Sequence, residues 1–188
     1  MNKKLFTIPN VLSMFRIILA FVFLYIAVKY GISEKHKELT LILVISALSD
    51  AIDGKVARKF NMISELGKIL DPVADKLTQA VLLVCCFGRY TVSKYVFMLF
   101  VIKELYMLVN GTRTIIFTGN NDGAMWYGKV STAAFYAVML ILFAFPGIPD
   151  KAAEILIVLC GALMLMAFVL YARHYKQLQE KSKNYKKV

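Results

Sequence analysis

The sequence predicts an all-α fold: a polytopic integral membrane protein with six transmembrane helices and an N-terminal interfacial segment. Three observations carry that prediction. Hydrophobic residues make up 59 % of the 188-residue chain, against about 45–50 % in soluble domains. The apolar residues fall into six runs, each close to the roughly 20 residues that a helix needs to cross a bilayer, separated by short polar or Gly/Pro-containing turns. The basic residues gather at the ends of those runs. A formal net charge of +11 with no nucleic-acid-binding motif beside it points to anionic lipid headgroups as the partner and away from nucleic acid. No repeat, disordered linker or soluble domain interrupts the pattern, so residues 1–188 read as one domain.

In chain order, residues 3–16, KKLFTIPNVLSMFR, mix basic ends with Phe6, Ile8, Leu12 and Phe15 and read as an interfacial segment leading into the first span. Pro9, Asn10 and Arg16 interrupt the apolar run behind Lys3 and Lys4, which argues against a cleavable signal peptide. Arg16 reads first as a snorkelling anchor and second as a contact for substrate phosphate. The first two spans cover about residues 11–30 and 39–58, with the polar loop GISEKHKE between them and Asp50 and Asp53 in the last turns of the second. The third span covers about residues 66–87, with Asp71 and Asp75 near its start. Pro72 falls in its first turns, where a missing N–H costs little. The fourth, over about 92–117, carries Lys103, Glu104 and Asn110, and TGNNDG after it has turn composition. The fifth covers about 124–145, PGIPDK follows, and the sixth covers about 152–172, ahead of a basic tail from Arg173.

Positive charge sets the expected orientation. With a cytoplasmic N-terminus, that side receives Lys3, Lys4, Lys55, Arg58, Lys59, Arg113 and the tail, and the opposite side the smaller set from Lys29 to Lys37, Arg89, Lys94 and Lys151. Termini and aspartates are therefore expected at the cytoplasmic face. Cys85, Cys86 and Cys160 lie in apolar runs without metal-ligand spacing and read as packing residues. His36 falls in a polar loop and His174 in the basic tail, and neither is assigned a ligand role.

The chemistry concentrates between Asp50 and Asp75. Asp50 and Asp53 are three residues apart, and Asp71 and Asp75 four apart, so each pair occupies one helical face. Two such helices packed antiparallel would bring four carboxylates together. An Asp at the centre of a spanning helix costs roughly 2.5–3.5 kcal/mol on insertion scales, so the cluster calls for cations. An all-oxygen set with no Cys or His beside it suits Mg²⁺ or Mn²⁺ better than Zn²⁺. Two such ions would balance Asp50, Asp53, Asp71 and Asp75 and still attract a phosphate oxygen.

Asp50, Asp53, Gly54, Ala57, Arg58, Gly67, Asp71 and Asp75 stand at the spacing D-x2-D-G-x2-A-R-x8-G-x3-D-x3-D. This resembles the signature of the CDP-alcohol phosphatidyltransferases, and every signature position is filled. The segment TIPNVLSMFRI resembles the N-terminal segment of that family's glycerol-lipid branch. Aspartates tied up in salt bridges with Arg58 and Lys76 would explain neither the glycines nor the spacing.

The resemblance implies an enzyme of phospholipid biosynthesis in a bacterial cytoplasmic membrane. CDP-diacylglycerol would donate its phosphatidyl group to a glycerol-based acceptor, with CMP released. It implies Asp75 as general base, acting beside the metals. Gly54 and Gly67 would leave room for the nucleotide, Ala57 would be small for the same reason, and Arg58 would pair with a phosphate oxygen. It also implies a homodimer, although no GxxxG face stands out within a span. Lys103, Arg113, Lys129 and Ser131 are the candidate acceptor-site residues. Glycerol-3-phosphate is the expected acceptor, giving phosphatidylglycerophosphate. Ser131 stands where such synthases usually carry a second lysine, and Lys103-Glu104 where they usually have Arg-Glu. Both departures lean toward the alternative, a cardiolipin synthase using phosphatidylglycerol. A divalent-cation transporter would instead spread its acids through the membrane depth and need no Gly-Ala-Arg pattern.

Overall fold

A computed structural model describes residues 7–59, 67–118 and 125–185, with the backbone alone at 8, 51, 53–59, 68, 115–118 and 179–185. The described residues form six α-helices: α1 (Ile8–Tyr30), α2 (His36–Lys59), α3 (Gly67–Cys85), α4 (Val92–Thr118), α5 (Trp126–Ala144) and α6 (Asp150–Tyr185). A 3₁₀ turn, Cys86–Gly88, follows α3, and there is no strand among the described residues.

The helices match the six apolar runs, with three corrections. First, α1 begins at Ile8, after Thr7 in extended conformation (φ −97°, ψ 154°), with Pro9 in its opening turn, where the absent N–H has no partner to lose. Asn10, Ser13 and Arg16 therefore sit on the continuous helix, not on a separate interfacial segment; residues 1–6 lie outside the described residues. Second, Pro72 lies inside α3, beyond the first turn, so it supplies no N–H to the carbonyl four residues earlier. Third, α6 runs through to Tyr185, so the expected tail is helix. Residues 173–185 contain no Gly or Pro, and nothing in them stops helix propagation. At the other end of α1, Gly31 adopts φ +82°, open to a residue without Cβ.

Six crossings do not follow from composition alone. Among the described residues, three helices are long and apolar enough to span a membrane: Pro9–Tyr30, Trp126–Ala144 and Asp150–Leu178. The other three carry charges within their apolar runs, among them Asp50 on α2, Asp71 and Asp75 on α3, and Lys103 and Glu104 on α4. Yet Leu41, Leu48, Ile69, Met98 and Leu108 on these same helices are exposed, a surface that favours lipid over water.

The helices cluster into two compact units, Met1–Arg89 with Met139–Pro149, and Tyr90–Val138 with Asp150–Val188. In the first, α1 packs along both α2 and α3. Ala20 on α1 and Ala74 on α3 are buried, and such small residues let helices approach closely where lipid offers no hydrophobic drive. Phe23 meets Phe143 edge-to-face at 4.9 Å. Arg89 donates to the Pro146 carbonyl at 2.8 Å, tying the end of the 3₁₀ turn to the chain after α5. In the second unit α4 packs on α6. A Cβ on Gly161 would come within 3.0 Å of Val96, and Tyr106 meets Phe168 edge-to-face at 5.2 Å.

Candidate active site

The site forms where α1, α2 and α3 meet. Arg16, near the start of α1, forms an ion pair with Asp50 near the end of α2. Ser13, one turn earlier, donates its hydroxyl to Asp71 Oδ1 near the start of α3. These two contacts run α1 antiparallel to α2 and parallel to α3, which makes α2 and α3 antiparallel as the sequence reading requires. The bridging element, however, is α1. Asp50 lies within electrostatic range of both Asp71 and Asp75, so the end of α2 that carries Asp50 faces the start of α3.

Arg16 is 2 % exposed, so it is a buried partner of Asp50 and not the snorkelling anchor expected first. Asp75 accepts a hydrogen bond from Gln79 Nε2 at 2.9 Å on Oδ2, and Lys76 Nζ stands 3.5 Å from the same oxygen. Part of the salt-bridge alternative is thus present, in the contact of Lys76 with Asp75. Asp53 follows Asp50 by one turn on α2; the backbone alone is described for Asp53, Gly54, Ala57 and Arg58. Gly67 is the buried first residue of α3.

In donor chemistry the aspartates fit a hard divalent ion: carboxylate oxygens only, in an apolar setting, with no thiol or imidazole among them. No three described His, Cys, Asp or Glu residues close around a point that could hold a metal.

Ser13 and Gln79 are functional candidates that the motif spacing does not indicate. A signal for the first was available: Asn10, Ser13 and Arg16 recur every third residue in an otherwise apolar helix, which puts them on one face, and all three are buried. Gln79 follows Asp75 by four residues on α3.

The expected acceptor-site residues all belong to the second unit. Lys103 is 6 % exposed, and its Nζ lies 2.5 Å from Glu104 Oε1, so interfacial snorkelling does not describe it. Arg113 and Lys129 are exposed and Ser131 is buried; Lys129 and Ser131, two residues apart, point to different sides of α5. The glycine before Lys129 has a packing reason. Met125 N–H donates to Tyr171 Oη at 3.1 Å, and a Cβ on Gly128 would collide with that hydroxyl and lie 3.0 Å from the ring's Cε2. The start of α5 is thereby seated on Tyr171 of α6, within a cluster of Tyr127, Ala167 and Tyr171.

Comparison with known proteins gives a consistent result. A family model described as CDP-alcohol phosphatidyltransferase matches residues 6–172. A CMP-forming cardiolipin synthase from Streptomyces coelicolor is 35 % identical over 57 % of this chain and 51 % of its own, so the match spans about half of that relative. A CDP-diacylglycerol–glycerol-3-phosphate 3-phosphatidyltransferase from Blochmanniella floridana is 34 % identical over 74 % of this chain and 73 % of its own. A protein of that same description from Aquifex aeolicus is 27 % identical over 87 % of this chain and 88 % of its own.

Proposed function

The chain belongs to the CDP-alcohol phosphatidyltransferase family, and from that premise we propose that it transfers the phosphatidyl group of CDP-diacylglycerol to a glycerol-based acceptor, releasing CMP. The observation that supports this reading is that α1 contacts both Asp50, through Arg16, and Asp71, through Ser13, with Asp50 in electrostatic range of Asp71 and Asp75. By the motif spacing, Asp53, three residues after Asp50, would supply the fourth carboxylate. Two divalent ions, Mg²⁺ or Mn²⁺, held by these aspartates would offset the charge of the pyrophosphate and of the departing CMP.

Asp75 is the general base. It takes the proton of the acceptor hydroxyl, whose oxygen forms a bond to the phosphorus carrying diacylglycerol while the bond from that phosphorus to the oxygen of CMP breaks. The result is a single displacement without a covalent enzyme intermediate. Gln79 and Lys76, both on Asp75 Oδ2, orient the carboxylate for that transfer. Arg58 pairs with a phosphate oxygen of the donor, and Gly54, Ala57 and Gly67 leave space for its nucleotide. The acids gather on one unit beside a Gly-Ala-Arg pattern, which argues against an ion pathway through the membrane depth.

All six helices cross the membrane in this reading, because α2, α3 and α4 combine site charges with exposed apolar faces. The chain acts as one catalytic domain in a bacterial cytoplasmic membrane, with termini and site on the cytoplasmic side as positive charge dictates, and works as a homodimer.

The acceptor is glycerol-3-phosphate, recognised by positive charge at Lys103, Arg113 and Lys129 together with Ser131. Phosphatidylglycerol is the second reading, favoured by the neutral, buried Ser131 and by the cardiolipin synthase among the relatives. Purified protein given labelled CDP-diacylglycerol, Mg²⁺ or Mn²⁺ and a panel of acceptors is expected to make phosphatidylglycerophosphate; cardiolipin from phosphatidylglycerol, with no product from glycerol-3-phosphate, would overturn the acceptor and leave the aspartate chemistry in place. In the same assay Lys129→Ala is expected to raise the acceptor's KM far more than that of CDP-diacylglycerol, since a lost charge-assisted hydrogen bond costs about 1.5–3 kcal/mol. Equal effects on both constants would remove Lys129 from the acceptor site.

A further inference from the structure

Helix α1 brings two buried polar side chains to the carboxylates, and neither belongs to the aspartate motif. Ser13 is 0 % and Arg16 2 % exposed. At three-residue spacing they share one face of α1, the helix that packs on both α2 and α3. The Ser13 hydroxyl has one hydrogen and two acceptors in reach, Asp71 Oδ1 and the Pro9 carbonyl, the latter at 3.0 Å. A carboxylate is the stronger acceptor, so the carbonyl behind it steadies the rotor while the proton goes to Asp71. Arg16 donates through Nη1 to Asp50 Oδ1. One oxygen of each aspartate is thus fixed by the same rigid helix.

We infer that Ser13 and Arg16 are positioning residues: Ser13 orients Asp71 toward a metal ion, and Arg16 is the internal counter-cation that lets the carboxylates share an apolar site before a metal arrives. The inference deepens the metal-dependent reading above and rests on it. Carboxylates within electrostatic range of one another repel in a low-dielectric setting, and Arg16 opposes that repulsion for as long as no divalent ion does. The two roles have opposite signatures. Loss of the Ser13 hydroxyl loosens a ligand and weakens metal binding. Loss of the Arg16 charge makes the fold depend more on the metal.

The test uses the full chain in detergent or nanodiscs, stripped of metal, with Mn²⁺ as probe, following bound Mn²⁺ by electron paramagnetic resonance and unfolding by Tm. Ser13→Ala is expected to weaken Mn²⁺ binding about 10- to 100-fold, the usual effect of removing a residue that orients a metal ligand, and Ser13→Thr to restore it. Arg16→Gln is expected to lower Tm without metal and to regain most of the loss with Mn²⁺, whereas Arg16→Lys stays close to wild type in both. If Arg16→Gln cannot be isolated metal-free, chelator is titrated into Mn²⁺-loaded protein, and it must unfold where Arg16→Lys remains folded. Wild-type Mn²⁺ affinity in Ser13→Ala, or an equal loss of stability in Arg16→Gln with and without Mn²⁺, would overturn the assignment and leave both residues as packing. Absence of Mn²⁺ binding by wild type would overturn the metal reading itself.

Discussion

Asp75→Asn is expected to lower turnover by at least about 100-fold, the low end of what a lost general base costs, with CMP release from CDP-diacylglycerol as the measured rate. The substitution keeps the shape of the side chain and removes its basicity. Gln79 Nε2, which now donates to Asp75 Oδ2 at 2.9 Å, can donate to the asparagine carbonyl instead, so α3 should keep its packing. Ala74 beside it is fully buried and Thr78 bonds back to the Ala74 carbonyl at 2.9 Å, and neither contact involves the altered group. Binding of the nucleotide lipid should therefore largely persist while the chemical step fails. Near-normal turnover would show that another group takes the acceptor's proton.

Chelation is expected to abolish activity, and added Mg²⁺ or Mn²⁺ to restore it. Asp50 lies within electrostatic range of both Asp71 and Asp75. Fixed cations in contact with them include Arg16, on Asp50, and Lys76, on Asp75. A substrate pyrophosphate brought to these carboxylates would meet like charge unless divalent ions stand between them. The measurement is product formation across a titration of chelator and then of each metal. Full turnover in excess chelator would exclude the two-ion site and require the reading of Asp50, Asp53, Asp71 and Asp75 to be rebuilt without metal.

Much of this was readable along the chain. Helix count followed from the apolar runs, because a run near the length of a bilayer crossing in a chain this apolar has few other ways to satisfy its backbone. The aspartates and their glycines were readable because motif residues lie close in sequence and repeat at helical spacing. Helix ends were less legible. Pro9 reads as an interruption in a linear scan, yet it is compatible with an opening turn, so Asn10 falls ahead of the expected span, and Ser13 and Arg16 in an interfacial segment that overlaps its start, whereas all three lie within α1. The extension of α6 through its charged residues to Tyr185 was missed for the opposite reason, since polarity marks the end of an apolar run and not the end of a helix.

By itself the sequence determined the all-helical class, the family, and the carboxylates on which the chemistry depends, all of which rest on local spacing. Only the tertiary structure decided what surrounds those carboxylates. Ser13 and Asp71 are 58 residues apart and Arg16 and Asp50 34 apart, and no periodicity within α1 states which helix its polar face will meet. The same limit explains Arg16, which by sequence looked like an anchor at the membrane surface. A long cationic side chain near a helix end can snorkel to water or turn inward to an acid, and it turns inward here because packing α1 against α2 sets Asp50 within its reach.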